Sequence, residues 1–300
     1  MYLIIGASGF IGKHIYDYCI KEGIDVLGTY YSHPDKPEWI KFDICTDDLR
    51  NVCQQNFHGK IPDAVILCGA NASIDSCKMN EEASKQVNID GMQRVIQQMK
   101  ALGVKCVFLS SEAVFDGNKG MYQEEDAPNP ITVYGKQKLK IEEYIAENLK
   151  EYLILRVSRA TGSRYGEKDI LQEFYSKIRN HEEIGCLKNQ SFCVTEVNDI
   201  AAGIVKALDY GLNGLYHLSS ANYTTRYELA KLYAEKVFGG YQKIVEKEYK
   251  ELPFLDKRHI YGGLLGSKLE TLIGIHFLSI DEIIRQYIDT LPAIRNDSNY

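Results

Sequence analysis

Short apolar runs that alternate with amphipathic stretches dominate the first half of this sequence. The runs are at most seven residues long, rich in Val, Ile and Leu, and bounded by Gly, Asp or Pro, which is typical of buried parallel strands. This alternation predicts right-handed βαβ units and therefore an α/β fold with a Rossmann-type, doubly wound parallel sheet. The predicted strands are residues 2–7, 25–30, 39–43, 63–69, 105–111 and 152–158, and the predicted helices are residues 9–22, 47–57, 81–102 and 134–148.

The pattern becomes less regular after about residue 160. Helical periodicity at 169–180, 197–209, 226–238 and 280–290 is mixed there with a short strand at 215–219. A chain of 300 residues has the length of about two domains. We therefore expect a Rossmann domain over residues 1–160 and a smaller C-terminal α+β lobe over 161–300, partly interleaved with it.

The charge and cysteine pattern excludes several classes of protein. Thirty-five Lys and Arg residues against forty-one Asp and Glu residues leave a net charge of −6, which argues against a nucleic-acid-binding protein. The sequence contains no apolar stretch of about 20 residues and no secretory leader, so we expect a soluble, cytoplasmic protein without a membrane partner. The eight cysteines lack metal-type spacing and are interpreted as small buried hydrophobes, and no metal site is predicted.

A glycine-rich loop, residues 6–12 (GASGFIG), follows the first predicted strand and opens the first helix. A turn without side chains lets backbone N–H groups and a helix N-terminus approach a pyrophosphate. The spacing GxxGxxG differs from the GxGxxG of ordinary dinucleotide dehydrogenases, but its position in a βαβ unit predicts a dinucleotide site. The predicted cofactor contacts in this loop are Gly6, Ser8, Gly9, Phe10, Ile11 and Gly12.

The end of the second strand bears on the choice between NAD and NADP. A carboxylate there would favour NAD, but none occurs before Asp35. Tyr30 and Ser32 are predicted to lie beside the adenosine ribose, and Ser32, His33 or Lys36 could bind a 2′-phosphate. NADP is therefore favoured over NAD, with a surface turn that contacts no cofactor as the alternative.

A tyrosine and a lysine four residues apart, Tyr134 and Lys138, share one face of a predicted helix. A free phenol has a pKa near 10, and an ammonium group one turn away would lower that pKa and help the phenol to exchange its proton. Ser110 and Ser111 end a neighbouring strand, where sheets of this kind bind their ligands. A second YxxxK, beginning at Tyr227, lacks such a serine and is interpreted as helix surface and core.

The glycine loop, the strand region 107–117 (VFLSSEAVFDG) and the segment 122–138 together resemble the extended short-chain dehydrogenase/reductases, and among them the dTDP-4-dehydrorhamnose reductase family. The resemblance implies NAD(P)H-dependent reduction of the 4-keto group of a nucleotide-linked 6-deoxysugar. It makes Ser111 the hydroxyl that orients the carbonyl, Tyr134 the proton donor, and Lys138 its activator and a ribose ligand. It also places Asp43 and Ile44 near adenine, Cys68, Gly69 and Ala70 along the cofactor, and Asn88 beside the site, although each could instead serve packing.

The sequence departs from the family pattern where the sugar should bind. Ala113 replaces an aromatic residue, and Arg159 replaces a tryptophan. Arg159 could contact a different sugar or grip the diphosphate, or it could be a surface residue paired with Glu167 or Asp169. Glu112, Phe192 and Thr195 are further candidates for substrate contact.

Three alternative functions remain beside reduction. A dehydratase would need a base at the position of Ala113, so dehydration is disfavoured, whereas an epimerase of the same superfamily stays open. A non-catalytic subunit that resembles the regulatory subunit of methionine adenosyltransferase is a third alternative, against which the intact Ser–Tyr–Lys set weighs. The oligomeric state is also left open, with a homodimer as one outcome.

Overall fold

A computed structural model describes residues 1–292 of the chain, which form twelve strands and eleven α-helices. The strands are β1 Tyr2–Ile5, β2 Val26–Tyr30, β3 Ile40–Lys41, β4 Ala64–Leu67, β5 Lys105–Ser111, β6 Tyr152–Val157, β7 Arg159–Thr161, β8 Ile184–Leu187, β9 Ser191–Glu196, β10 Gly214–Leu218, β11 Tyr223–Thr225 and β12 Ile244–Lys247. The helices are α1 Phe10–Lys21, α2 Leu49–Asn56, α3 Ile74–Met79, α4 Glu81–Lys85, α5 Met92–Leu102, α6 Val133–Asn148, α7 Ile170–Arg179, α8 Val197–Asp209, α9 Arg226–Phe238, α10 Ser267–Ile273 and α11 Ile280–Asp289.

Seven strands form one parallel sheet in the order β10-β6-β5-β4-β1-β2-β3. Consecutive residues of β1, such as Leu3 and Ile4, are both fully buried because helices cover both faces of the sheet. Helices α1, α8 and α10 pack on one face, and α2, α5 and α6 pack on the other. The predicted Rossmann-type fold is confirmed, and the strand order reverses between β1 and β4, where such sheets bind their ligands.

The C-terminal lobe has its own small core. It contains the three-stranded sheet β11-β9-β7 and the parallel pair β12-β8, with α7, α9 and α11 packed around Phe174, Tyr233 and Tyr287. The chain enters this lobe near the predicted boundary at residue 160 but returns twice: α8 packs on α1, and β10 completes the large sheet. The two halves are therefore more interleaved than a single boundary describes. Residues 293–300 of the predicted lobe lie outside the described residues.

The single helix predicted over residues 81–102 contains a π-helical segment, Gln86–Gly91, between α4 and α5. Such segments insert an extra residue into a helix and often occur at functional sites. Asn88 lies in this segment and faces the interior.

Within residues 1–292, none of the helices has the length and apolar character needed to cross a membrane.

Candidate active site

The glycine loop leaves no space for side chains where it crosses the sheet edge. A Cβ atom on Gly6, whose φ is +85°, would lie 2.5 Å from the backbone nitrogen of Gly69, and one on Gly12 would lie 2.3 Å from the Gly6 carbonyl oxygen. Helix α1 begins at Phe10, and its N-cap residue, Gly9, supplies no side-chain cap. The N–H groups of the first turn are thus available to an anion, and the loop fits a dinucleotide pyrophosphate.

The residues predicted to lie near adenosine form turns at the ends of β2 and β3. Ser32 is exposed after β2, whereas the ammonium of Lys36 already pairs with Asp17 at 2.6 Å. The Asp43 carboxylate accepts a 2.8 Å hydrogen bond from the backbone N–H of Cys45, so it shapes the turn after β3. Tyr30 is half-buried at the end of β2, and Ile44 is buried against α5 and its neighbours.

The end of β4 forms the opposite edge of this cleft. Cys68 and Gly69 both donate backbone hydrogen bonds to the Ile5 carbonyl, at 2.9 and 2.8 Å, and with Ala70 they are half-buried at the sheet edge. Asn88 lies behind them, because its side chain accepts from the Asn71 N–H at 2.8 Å and donates to the Asn71 carbonyl at 2.9 Å. Asn88 therefore holds the loop after β4 in place.

The predicted Ser–Tyr–Lys set comes together at the carboxyl end of β5. Ser111 ends this strand, and Tyr134 lies in the first turn of α6, facing the same cavity. A Cβ atom on Gly135 would lie 2.0 Å from the Ala113 carbonyl oxygen, so the glycine that follows Tyr134 allows α6 to approach the strand end closely. Lys138 lies one turn further along α6, and its ammonium donates a 2.7 Å hydrogen bond to the Leu109 carbonyl.

The pKa of Tyr134 differs from the sequence prediction, and that of Lys138 is also shifted. Burial raises the pKa of the Tyr134 phenol above its usual value, with the Ser111 hydroxyl acting in the opposite direction, and burial lowers the pKa of Lys138 to about 8. The predicted lowering of the tyrosine pKa by Lys138 is not found in the protein alone, because burial of the phenol dominates its pKa. Tyr134 is therefore held as a protonated phenol, the form that can donate a proton.

A buried ion pair behind the serines was not foreseen from the sequence. The Arg156 guanidinium donates to both carboxylate oxygens of Glu142, at 2.7 to 3.2 Å, and both side chains are about 95% buried. The Ser110 hydroxyl also donates to Glu142. This network ties α6 to β5 and β6, and so holds the elements that carry Ser111 and Tyr134.

A cavity of about 650 Å³ extends from the serine and tyrosine into the C-terminal lobe. Ile11 of the glycine loop lines it together with Ser111, Tyr134, Arg159 and Phe192. Ile11 of the predicted cofactor loop, the proton donor and several predicted substrate contacts thus share one space, whereas Ser8, Gly9 and Phe10 of the loop line a second cavity beside α1.

Arg159 reaches this cavity and stacks over the Phe192 ring, with 4.7 Å between the guanidinium carbon and the ring centroid. The alternative that pairs Arg159 with Glu167 or Asp169 is wrong. The Glu167 carboxylate instead contacts the His14 ring at 3.1 Å, and Asp169 accepts hydrogen bonds from the Thr161 hydroxyl and the Gly162 N–H. Within residues 1–292, the Arg159 guanidinium forms no ion pair.

The remaining predicted substrate contacts differ in position. The Glu112 carboxylate lines the cavity and accepts a 2.6 Å hydrogen bond from the Gly263 N–H; burial raises its pKa, which Arg159 partly offsets. The predicted substrate contact of Thr195 is wrong, because this residue is fully buried behind the cavity. Its hydroxyl contacts the Ser158 hydroxyl at 2.9 Å and accepts a hydrogen bond from the Ser220 N–H.

The lobe adds charged residues that sequence reasoning missed. Arg226 and Arg258 line the cavity, and each is paired with a carboxylate at 2.6 to 2.7 Å, from Glu173 and Asp75 respectively. Lys177 lies on the same wall. These residues follow no recognisable motif, and the pair between Arg258 and Asp75 spans 183 positions, so no local signal could have found them.

Together, the parallel sheet, the glycine loop and the Ser–Tyr–Lys set define a Rossmann-type protein of the short-chain dehydrogenase/reductase class, as predicted. The chain belongs to the family described as "RmlD substrate binding domain", whose sequence profile matches residues 1–292. It is 28% identical to the dTDP-4-dehydrorhamnose reductase of Sinorhizobium fredii over 80% of this chain and 84% of that protein. It is also 26% identical to the bovine (Bos taurus) methionine adenosyltransferase 2 subunit beta over 76% of this chain and 69% of that protein.

Among solved structures, the fold is similar to dTDP-4-dehydrorhamnose reductase from Bacillus anthracis in complex with NADP. The TM-score is 0.82 at 23% sequence identity, and the match covers 97% of this chain and 99% of the other. At this level of identity the likeness supports the fold and nothing finer.

Proposed function

We propose that this protein is a reductase that uses NADPH, or NADH, to reduce the 4-keto group of a nucleotide-linked 6-deoxysugar. The observation that carries the proposal is the single cavity in which the glycine-loop residue Ile11 meets Ser111, Tyr134 and the lobe. The family membership and the similarity to a relative named dTDP-4-dehydrorhamnose reductase support it.

The cofactor is assigned to the edge of the sheet at the strand-order reversal. Its pyrophosphate would lie against the first-turn N–H groups of α1, with Tyr30, Ser32, Asp43 and Ile44 on the adenosine side and Cys68, Gly69 and Ala70 along its length. When bound, the reduced nicotinamide supplies the hydride that reaches the carbonyl carbon. NADPH remains the favoured form, because the end of β2 has no carboxylate to repel a 2′-phosphate, and Ser32 is exposed there.

The reacting carbonyl is assigned to the space between Ser111 and Tyr134. The Ser111 hydroxyl would orient the carbonyl oxygen, and the protonated Tyr134 phenol would donate its proton to that oxygen. The Lys138 ammonium would favour the phenolate that remains, and is the predicted ligand of the cofactor ribose. Tyr134 and Lys138 are buried and Ser111 is half-buried, so these interactions are poorly screened by water.

The diphosphate of a sugar nucleotide requires local positive charge, because the protein has a net charge of −6. Arg159 is the strongest candidate, since it has no carboxylate partner within residues 1–292 and a planar guanidinium can bind a phosphate through two hydrogen bonds. Arg226 and Lys177 lie further along the same wall. Homodimer formation and a cytoplasmic location stay predictions.

The experiment that tests the proposal incubates the purified protein with NADPH and a panel of nucleotide-linked 4-ketosugars. Stoichiometric loss of reduced-nicotinamide absorbance, with formation of a 4-hydroxy sugar, supports reduction. An epimerase would retain its cofactor through turnover, so it would convert a nucleotide sugar without net NADPH consumption. A regulatory subunit would oxidise no NADPH, and Tyr134→Phe would leave its biological role intact.

A further inference from the structure

One wall of the substrate cavity is formed by residues 252–259, here called the strap. Leu252, Phe254, Arg258 and His259 of the strap line the cavity. The strap belongs to the C-terminal lobe by sequence and bonds to it through Gln190 and Tyr249, yet several of its hydrogen bonds lead to the Rossmann half. Two carboxylates, Asp75 and Asp256, make these connections.

Asp75 anchors the strap from the first turn of α3, shortly after the loop that follows β4. One carboxylate oxygen accepts hydrogen bonds from the backbone N–H groups of Leu255 and Asp256, at 3.0 and 3.2 Å. The other oxygen pairs with the Arg258 guanidinium at 2.6 Å. The guanidinium also stacks over the Phe254 ring, 4.4 Å from its centroid. A single carboxylate thus holds the strap backbone at Leu255 and Asp256 and the Arg258 side chain, which lines the cavity with Phe254 beneath it.

Asp256 connects the strap to the catalytic helix. Its side chain accepts a 2.8 Å hydrogen bond from the backbone N–H of Val133, the first residue of α6 and the neighbour of Tyr134. The first N–H groups of a helix have no partner within the helix. Thr132 satisfies the N–H of Gly135 at this end, and Asp256 satisfies that of Val133. The strap therefore completes the N-terminal cap of the helix that carries the proton donor.

We propose that Asp75 and Asp256 are positioning residues that couple the substrate wall to Tyr134. Asp75 fixes the strap, and Asp256 in the fixed strap sets the first turn of α6. The kinetic part of this proposal rests on the proposed reduction with Tyr134 as proton donor, whereas the structural coupling does not. Loss of the hydrogen bonds of Asp75 should therefore weaken the hydrogen bond between Asp256 and the Val133 N–H, although Asp75 itself makes no hydrogen bond with Val133.

The structural coupling is tested without turnover, with Asp75→Asn and the matched control Asp281→Asn. Asp281 is also a first-turn carboxylate in an ion pair, with Lys236 at 2.8 Å, but it lies on α11 in the lobe. Two rates are measured: hydrogen exchange of the Val133 amide and tryptic cleavage after the exposed Lys257. We expect Asp75→Asn to raise both about tenfold, the size typical of a lost charged hydrogen bond, and Asp281→Asn to leave both unchanged.

Two outcomes overturn the coupling. One is an unchanged Val133 exchange rate in Asp75→Asn. The other is faster exchange throughout α6 and the large sheet, which would mean that the substitution loosens the whole fold. Asp256→Ala serves as the positive control, because it removes the Val133 hydrogen bond directly.

Steady-state kinetics distinguish the role of Asp75 from that of Asp256. Asp75→Asn is expected to raise the KM for the sugar nucleotide about tenfold and, because the released strap no longer fixes Val133, also to lower kcat, with the KM for NADPH unchanged. Asp256→Ala is expected to lower kcat about tenfold, and Asp256→Asn to restore most of it, since an asparagine side chain also accepts a capping hydrogen bond. Wild-type kcat in Asp256→Ala overturns the role in positioning Tyr134. If the wild-type protein reduces no ketosugar, the proposed function fails, while exchange and proteolysis still decide the coupling.

Discussion

The ammonium nitrogen of Lys138 lies 5.8 Å from the centre of the Tyr134 ring and donates its hydrogen bond elsewhere, to the Leu109 carbonyl at 2.7 Å. Burial raises the pKa of the Tyr134 phenol, which keeps its proton, and the Lys138 ammonium is a buried positive charge close to it. This relationship assigns different tasks to the two residues: Tyr134 carries the proton, and Lys138 carries the charge that stabilises the phenolate left behind.

Replacement of Tyr134 by Phe removes the proton donor while keeping the ring that packs against Cys77 and Ala113. We expect kcat to fall by about two to four orders of magnitude, the usual contribution of a general acid, with the Kd for NADPH nearly unchanged. Steady-state kinetics and cofactor titration measure both. Tyr227→Phe, in the second YxxxK of the chain, is the matched control and should keep wild-type turnover. Undiminished turnover in Tyr134→Phe would mean that another group donates the proton.

The activity should depend on pH through Lys138. Its pKa is lowered to about 8 by burial, so the ammonium loses its proton as pH rises through 8, well before an exposed lysine would. The charge that supports the phenolate is then present below pH 8 and lost above it. We expect kcat/KM to fall above about pH 8, and Lys138→Met to give a low profile without this step. A wild-type profile that stays level well above pH 8 contradicts the assignment.

Arg159 should contribute to substrate binding and not to cofactor binding. We expect Arg159→Gln to raise the KM for the sugar nucleotide about tenfold, the loss typical of a charged hydrogen bond, with the KM for NADPH unchanged. Titration with free dTDP as well as the sugar nucleotide locates the contact: a loss with both ligands indicates the diphosphate, and a loss with the sugar nucleotide alone indicates the sugar. Lys100→Gln, at the exposed C-terminal end of α5, is the control. Unchanged binding of both ligands would remove Arg159 from the site.

Removal of one partner of the buried Glu142–Arg156 pair should destabilise the fold strongly, whereas removal of both charges together should destabilise it much less. Glu142→Gln leaves the guanidinium buried without a counter-ion, so we expect the free energy of unfolding to fall by about 3–5 kcal/mol. Joint replacement by Met at 142 and Leu at 156 removes both charges and should recover a large part of that loss. Denaturant unfolding of the two variants measures the difference. Equal stability of the single and double variants would contradict the pairing.

Six of the seven strands of the large sheet were predictable because each follows a local apolar run, and β5 was predicted with the bounds that it has. The strand predicted at 215–219 was expected in the lobe, but as β10 it belongs to the large sheet. The glycine loop and the Tyr134–Lys138 spacing are equally local, so the sequence revealed them. The lobe strands were mostly missed, since β7 and β11 are only three residues long. Their pairing depends on contacts between distant segments.

The hydrogen bonds and side-chain directions of the site were less predictable than the identities of its residues. Spacing placed Lys138 on the same helix face as Tyr134, but the direction of the ammonium depends on the Leu109 carbonyl, which accepts its hydrogen bond. The strap was not foreseen either, because its anchor, Asp75, is separated from Arg258 by most of the chain. Thr195 was misplaced for a related reason: its strand reaches the cavity through Phe192, but the Thr195 side chain is fully buried against Ser158 and Ser220.

Transfer of deuterium to the sugar from NADPH that carries deuterium in both positions at C4 of the nicotinamide tests the central claim most directly. The wild-type protein, incubated with a nucleotide-linked 6-deoxy-4-ketosugar and the deuterated cofactor, should give a product with one deuterium at C4 and an equivalent amount of oxidised cofactor. Tyr134→Phe should bind the same cofactor and form almost no labelled product. Conversion of the sugar without deuterium at C4, or no oxidation of NADPH with any ketosugar of the panel, would contradict the account.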